Sequence, residues 1–170
     1  MAFKFIELDK QVLPKTKGKR IDGFRFYNID GKNYPSITTV LGIRKTEQLK
    51  GWLEKIGEGV ANWEMGRAAR RGKSFHTLVE QYIKGETPSI RDVLPLGLFK
   101  LLKPYIDQID NIHLLEAIMY SKKLTVAGQV DCVAEYNGKL SVIDFKTANK
   151  ERQEDWIDNY FLQTTAYAHM

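Results

Sequence analysis

The chain has 170 residues, of which 43% are hydrophobic and 28% charged, the balance of one folded domain with a real core. Its formal charge of +5 suits a polyanionic partner and a solvated basic surface equally well. No apolar run nears the ~20 residues that span a bilayer, MAFKFIELDK lacks the apolar stretch of a secretory signal, and the single cysteine, Cys132, excludes a disulfide framework or a four-cysteine zinc or iron–sulfur site within this chain, so a reducing, cytoplasmic setting is expected.

In chain order, residues 24–34 (FRFYNIDGKNY) predict a small hairpin turning at Asp30-Gly31. Pro35-Ser36 opens a short helix over ITTVLG, with Ser36 as its N-cap. Residues 46–58 predict a helix with Trp52, Leu53 and Ile56 on one face, punctuated by Gly57 and Gly59. A longer helix follows over 60–84. Val60, Trp63, Phe75, Val79 and Ile83 mark its buried side, and a break is expected near Gly66 or Gly72. Residues 89–110 keep a helical period, which Pro95 and Pro104 should split or bend.

The pattern then changes to strands over 113–120, 126–136 and 139–145, the last two joined by Asn137-Gly138 as a type I′ turn. Residues 152–170 return to helix, with no cap, Gly or Pro to end it at Met170, so a continuation in a longer protein is expected. No internal repeat is visible. The layout is a single α/β or α+β domain over 1–170, with a hairpin and helical region (24–110) followed by a core (111–170).

The second hairpin gathers the chemistry. With Asn137 and Gly138 as its two loop residues, Tyr136 pairs with Lys139, and the same register sets Asp131 opposite Asp144. Lys146, two residues on, projects from that face. Val133 and Val142 share it, while Val130, Cys132, Ala134, Ile143 and Phe145 take the other, so both faces are largely apolar and both are expected to be covered. Two facing carboxylates in such surroundings share a proton or bind a cation, and hard divalent cations favour carboxylate oxygens and substrate phosphates. A structural ion pair of Lys146 with aspartates at fraying strand ends is the plainer alternative.

GQVD at 128–131, DFK at 144–146, and Gln163 with Tyr167 resemble the Gly-x-x-Asp, Asp-x-Lys and Gln-x-x-x-Tyr elements of PD-(D/E)XK nucleases, in particular the RecB-like branch. GKSFHTLVE at 72–80 is similar to that branch's Gly-x-x-x-His-x-x-x-Glu helix. DCVAEYNGKLSVIDFKT, GKSFHTLVE and PSITTVL at 35–41 most resemble the mitochondrial genome maintenance exonucleases and related phage exonucleases. The likeness covers about residues 24–170. It departs from the generic motif at Val130, where the name-giving proline would stand.

The resemblance implies a central mixed sheet with an antiparallel meander, flanked by helices. It implies hydrolysis of DNA phosphodiester bonds with Mg²⁺ or Mn²⁺ and without an iron–sulfur cluster, in a phage or DNA-repair setting. His76, Asp131, Asp144 and the Phe145 backbone carbonyl would be ligands, and Lys146 would activate water and stabilise transition-state charge. Gln163 and Tyr167 would support the site or touch DNA. Glu80 and Glu116 would hold a metal through water or orient a ligand.

Arg67, Arg70, Arg71 and Lys73 precede His76 as a basic cluster that suits either a solvated face or phosphate contacts. Trp52 and Trp63 read as core before base stacking, and Cys132 as a small buried residue. The favoured activity is an exonuclease acting on single-stranded DNA or single-stranded ends. An endonuclease of the same superfamily and a non-catalytic DNA-binding module are the alternatives.

Overall fold

The computed structural model describes residues 3–8, 13–43, 46–149 and 157–170. Strands β1 (Gly18–Ile21), β2 (Phe24–Ile29) and β3 (Lys32–Pro35) form an antiparallel sheet in that order. Its turns are Asp22-Gly23, at φ 50° and 82°, and Asp30-Gly31, at φ 52° and 78°. Positive φ at both positions is the type I′ requirement, which Asp then Gly meets at low cost. The second turn is the predicted one. β1 is an addition: its residues are all exposed and show no apolar alternation, so its signal in the sequence is Asp22-Gly23 alone.

Helix α1 (Ile37–Ile43) begins as expected, with Ser36 Oγ accepting the Thr39 N–H at 3.1 Å. Helix α2 (Thr46–Ile56) ends at Gly57, whose φ of 82° redirects the chain into α3 (Glu58–Ile83). α3 runs unbroken through Gly66 and Gly72. Two glycines cost about 1 kcal/mol each in a helix, less than burying Phe75, Leu78, Val79 and Ile83 contributes. The expected buried side holds only for this C-terminal half. Val60 and Trp63 are each 55% exposed, because the first turns of α3 lie beyond the main core, beside α2.

Helix α4 (Val93–Ile106) occupies less of 89–110 than its period suggests, and Ile109 passes to the next strand. Pro95 falls in its first turn, where no N–H is needed, and Pro104 stands inside the helix near its C-terminal end, yet α4 runs through both without splitting.

Strands β4 (Ile109–Ser121), β5 (Val126–Tyr136) and β6 (Lys139–Ile143) form a second antiparallel sheet in chain order. Asn137 and Gly138 turn at φ 50° and 74°, and the β5–β6 register runs from Tyr136↔Lys139 to Cys132↔Ile143, as predicted. The predicted mixed sheet is not what forms. Both sheets are antiparallel, and the parallel contacts among the described residues are the bridges Phe5↔Ile112 and Ser36↔Ala127. Helix α5 (Asp158–Ala168) carries the final predicted helix, whose first residues (152–156) lie outside the described ones.

The second sheet is covered on both sides, as the apolar strands require. Phe75, Leu78, Val79 and Ile83 of α3 and Phe99 and Ile106 of α4 pack with Cys132, Ala134 and Phe145. Ile37 of α1 and Tyr167 of α5 pack with Val126, Val130, Val133 and Val142. Val130 thus joins Val133 and not Cys132, against the simple alternation. The break lies beside Glu116, held at φ 49° within β4. Among the described residues no helix is long and apolar enough to cross a membrane.

Candidate active site

Asp131 is the centre of a small polar cluster. It is 8% exposed, and its Oδ2 accepts the Phe145 N–H at 2.7 Å. That bond replaces the next ladder pair: the strand pairing stops at Cys132↔Ile143, and Asp144 lies just beyond β6 rather than in a cross-strand pair with Asp131. Two like charges directly opposed would repel, and leaving the ladder relieves this. Asp144 instead meets Gln163 Nε2 through Oδ1 at 3.1 Å and the Lys146 ammonium through Oδ2.

His76 reaches the cluster from the middle of the C-terminal half of α3. Its Nε2 lies 2.8 Å from the Phe145 carbonyl oxygen. A carbonyl only accepts, so Nε2 carries the proton and donates. Nδ1 then faces Asp131 Oδ1 at 3.5 Å and Glu116 Oε1 at 3.7 Å. The Phe145 backbone is therefore clipped on both sides of its Cα, its N–H by Asp131 and its C=O by His76. Phe145 as a whole is 7% exposed, and its ring, packed among the α3 and α4 side chains, holds it there.

Nδ1 of His76 and one carboxylate oxygen each from Glu116 and Asp131 lie within 4.8 Å of one another. The structure thus groups Glu116, a secondary candidate from sequence, with His76 and Asp131, and sets Asp144 outside that group. Burial pushes the Asp131 carboxyl up to about 6, with a further rise from Asp144, against the lowering effect of His76. For His76, burial lowers the pKa, but the facing carboxylates of Glu116 and Asp131 outweigh it, and the net shift is upward. The cluster holds more negative charge than its surroundings easily solvate.

Gln163 and Tyr167 of α5 brace the site from the other side. Gln163 Nε2 reaches both Asp144 and, at 3.3 Å, Tyr167 Oη, while Tyr167 Oη donates to the Gln129 carbonyl at 2.9 Å. Gln129, not singled out from sequence, donates in turn to Glu116 Oε2 at 2.6 Å. It stands two residues before Asp131 in β5, so strand alternation could have found it.

This chain of contacts explains the glycine of GQVD. A Cβ on Gly128 would sit 2.6 Å from Tyr167 Cε1 and 2.7 Å from its Oη. Gly128→Ala is therefore expected to destabilise the fold by about 1–3 kcal/mol through overpacking. The paired variant Gly128→Ala/Tyr167→Ala should recover part of that loss in a thermal melt. An additive loss in the pair would show that Tyr167 is not what excludes a side chain there.

A cleft of about 560 Å³ opens over the cluster, lined by His76, Glu116, Asp131, Gln129 and Glu80, with Lys73 and Arg25 among its cations. Glu80 is ion-paired to Lys84 at 2.6 Å and lies outside the three-residue group. Asp144 and Lys146 line a neighbouring groove of about 670 Å³ with Tyr160 and Phe161. The Lys146 ammonium lies 5.6 Å from the Tyr160 ring centroid, and its charge is still felt at His76 and Asp131.

The basic cluster before His76 divides. Arg71 is buried, its Nε donating to Thr147 Oγ1 at 3.4 Å and its Nη1 to Asn149 Oδ1, so it ties α3 to the loop after Lys146. Arg67 pairs with Glu64 at 3.3 Å and lies 4.7 Å from the centroid of the exposed Trp63 ring. Arg70 and Lys73 are exposed, and of the four only Lys73 lines the cleft. Trp52 is 37% exposed, and Cys132 is buried, with burial pushing its thiol up to about 12.

Three curated proteins match over 78% of this chain. The chain is similar to known exonucleases. Mitochondrial genome maintenance exonuclease 1 from Homo sapiens is 32% identical over 146 residues, that from Mus musculus 31% over 146, and that from Xenopus tropicalis 31% over 150. The chain spans 42–43% of the length of these relatives. No protein-family model matches it.

Proposed function

We propose that this chain is a metal-dependent DNA exonuclease of the PD-(D/E)XK type, with a preference for single-stranded DNA or single-stranded ends. The observation that carries the reading is the convergence of His76, Glu116 and Asp131 from α3, β4 and β5 at the floor of one cleft, in a chain similar to genome maintenance exonucleases.

The donor set fits a divalent cation. It offers two carboxylates and an imidazole nitrogen whose partner nitrogen is already committed to Phe145, the arrangement that orients a histidine ligand. His76, Glu116 and Asp131 would hold Mg²⁺ or Mn²⁺, while the Phe145 carbonyl is taken by His76 Nε2 and Asp144 by Gln163 and Lys146. Such an ion supplies Lewis acidity toward the scissile phosphate and makes a water easier to deprotonate.

The remaining work falls to side chains. Lys146, restrained by Asp144, offers a fixed positive charge near the cluster where negative charge grows on the phosphate oxygens. Gln163 holds Asp144, and Tyr167 holds the Gln129 backbone, so both are oriented before substrate arrives.

The exonuclease reading is tested with labelled linear and circular single strands in Mg²⁺. Linear strands are expected to be digested progressively from an end while circles persist. Efficient cutting of circles would turn the reading to an endonuclease of the same superfamily.

A further inference from the structure

The segment PSITTVL has no part in the cluster just described, yet it borders the same cleft. Ser36 and Thr38 line it, together with Arg25 of β2. Ser36 is 1% exposed, and its Oγ lies 2.9 Å from Thr39 Oγ1 and 3.0 Å from Thr38 Oγ1. The same network clamps the backbone of Arg25: its N–H donates to Thr39 Oγ1 at 3.1 Å, and its C=O accepts the Ser36 N–H at 2.8 Å. Ser36 is also bridged to Ala127 of β5, four residues before Asp131. Arg25 is therefore tied to the strand that carries Asp131 through a short path of hydrogen bonds.

The guanidinium itself is free to act. Among the described residues neither Arg25 nor Lys73 has an ion-pair partner, although Glu116 and Asp131 line the same cleft. Gly18, paired with Tyr27 across the sheet, leaves room for the Arg25 stem: a Cβ there would sit 3.1 Å from Arg25 Cδ. A cleft with carboxylates at its floor and unpaired cations at its edge matches a polyanionic strand whose phosphates neighbour a cation-binding group.

We infer that the N-terminal sheet is part of the substrate-binding surface. Arg25, with Thr38 lining the same cleft, holds a DNA phosphate adjacent to the His76–Glu116–Asp131 group, and the Ser36–Thr39 hydroxyl network is the device that positions Arg25. The inference rests on the nuclease reading above and adds a binding residue to it.

Binding is measured with the full chain and a short fluorescent single-stranded deoxyoligonucleotide, in EDTA so that nothing is cut, across a salt series. Arg25→Ala is expected to weaken binding about tenfold and to reduce the slope of log affinity against log salt by about 0.7, the loss of one phosphate contact on a single strand. In Mg²⁺ the same variant should raise KM about tenfold and lower kcat by much less. Arg25→Lys should keep the slope. Ser36→Ala should weaken binding several-fold, with Ser36→Thr restoring it. Lys139→Ala, a charge removed from the β5–β6 turn and outside the cleft, serves as the control for net charge.

An unchanged slope for Arg25→Ala, or the same change in Lys139→Ala, overturns the inference while cleavage by the wild-type chain leaves the nuclease reading standing. A wild-type chain that neither binds nor cuts DNA overturns both.

Discussion

Lys146→Ala is expected to lower the cleavage rate by a factor of about 10²–10³ while single-stranded DNA still binds. Lys146 is held by Asp144, whose side chain is only 4% exposed, and its charge acts on both His76 and Asp131. A charge pre-placed where an oxyanion develops acts on the transition state far more than on the ground state, and losing one such donor costs roughly 10²–10³ or more. The variant also leaves Asp144 with Gln163 as its remaining described partner, so a lower melting temperature is expected, and the rate is to be compared well below it. Single-turnover cleavage and equilibrium binding on the same preparation separate the effects. Cleavage within about threefold of wild type, at a rate limited by chemistry, would falsify the role given to Lys146.

The second large effect is that of the cation. EDTA is expected to stop cleavage, and excess Mg²⁺ or Mn²⁺ to restore it. The ion should also stabilise the fold, because in its absence Asp131 and Glu116 crowd His76 with no cation between them. At a hundredfold excess over the dissociation constant the gain is about 2.7 kcal/mol, roughly 5–10 °C in Tm for a chain of this size. Asp131→Asn keeps an acceptor for the Phe145 N–H but removes a charged ligand. It should fold, lose cleavage, and lose most of the metal-induced rise in Tm. A wild-type chain that cuts DNA in excess EDTA, or a full Tm response in Asp131→Asn, would show that this cluster does not hold the ion.

The chain contains much of its own local structure in plain form. Asp30-Gly31 and Asn137-Gly138 dictate their turns because two consecutive positive φ angles suit few other residue pairs. A two-residue loop also fixes register, which is why Tyr136↔Lys139 and the pairs beyond it were legible. Ser36 announces the start of α1 because a hydroxyl there satisfies an N–H that the helix cannot.

What remained for the tertiary structure concerns meetings between distant segments. Glu116 stands beside Glu80 as a secondary candidate in the sequence, and what brings it, and not Glu80, to His76 and Asp131 is the pairing of β4 with β5 beneath α3. Arg71 reads as one more exposed cation, but the helix turns it inward onto Thr147 and Asn149, 76 and 78 residues away. Val60 and Trp63 have the helical period of a buried face, yet the core ends before it reaches them. The register that would set Asp144 opposite Asp131 is overruled at that pair, where Asp131 takes the Phe145 N–H instead. Turns, caps and short-loop register are set by the conformational preferences of a few adjacent residues. The make-up of the cluster is set by how α3, α5 and the sheet pack, and that balance of burial, charge repulsion and hydrogen bonding exists only once the chain is folded.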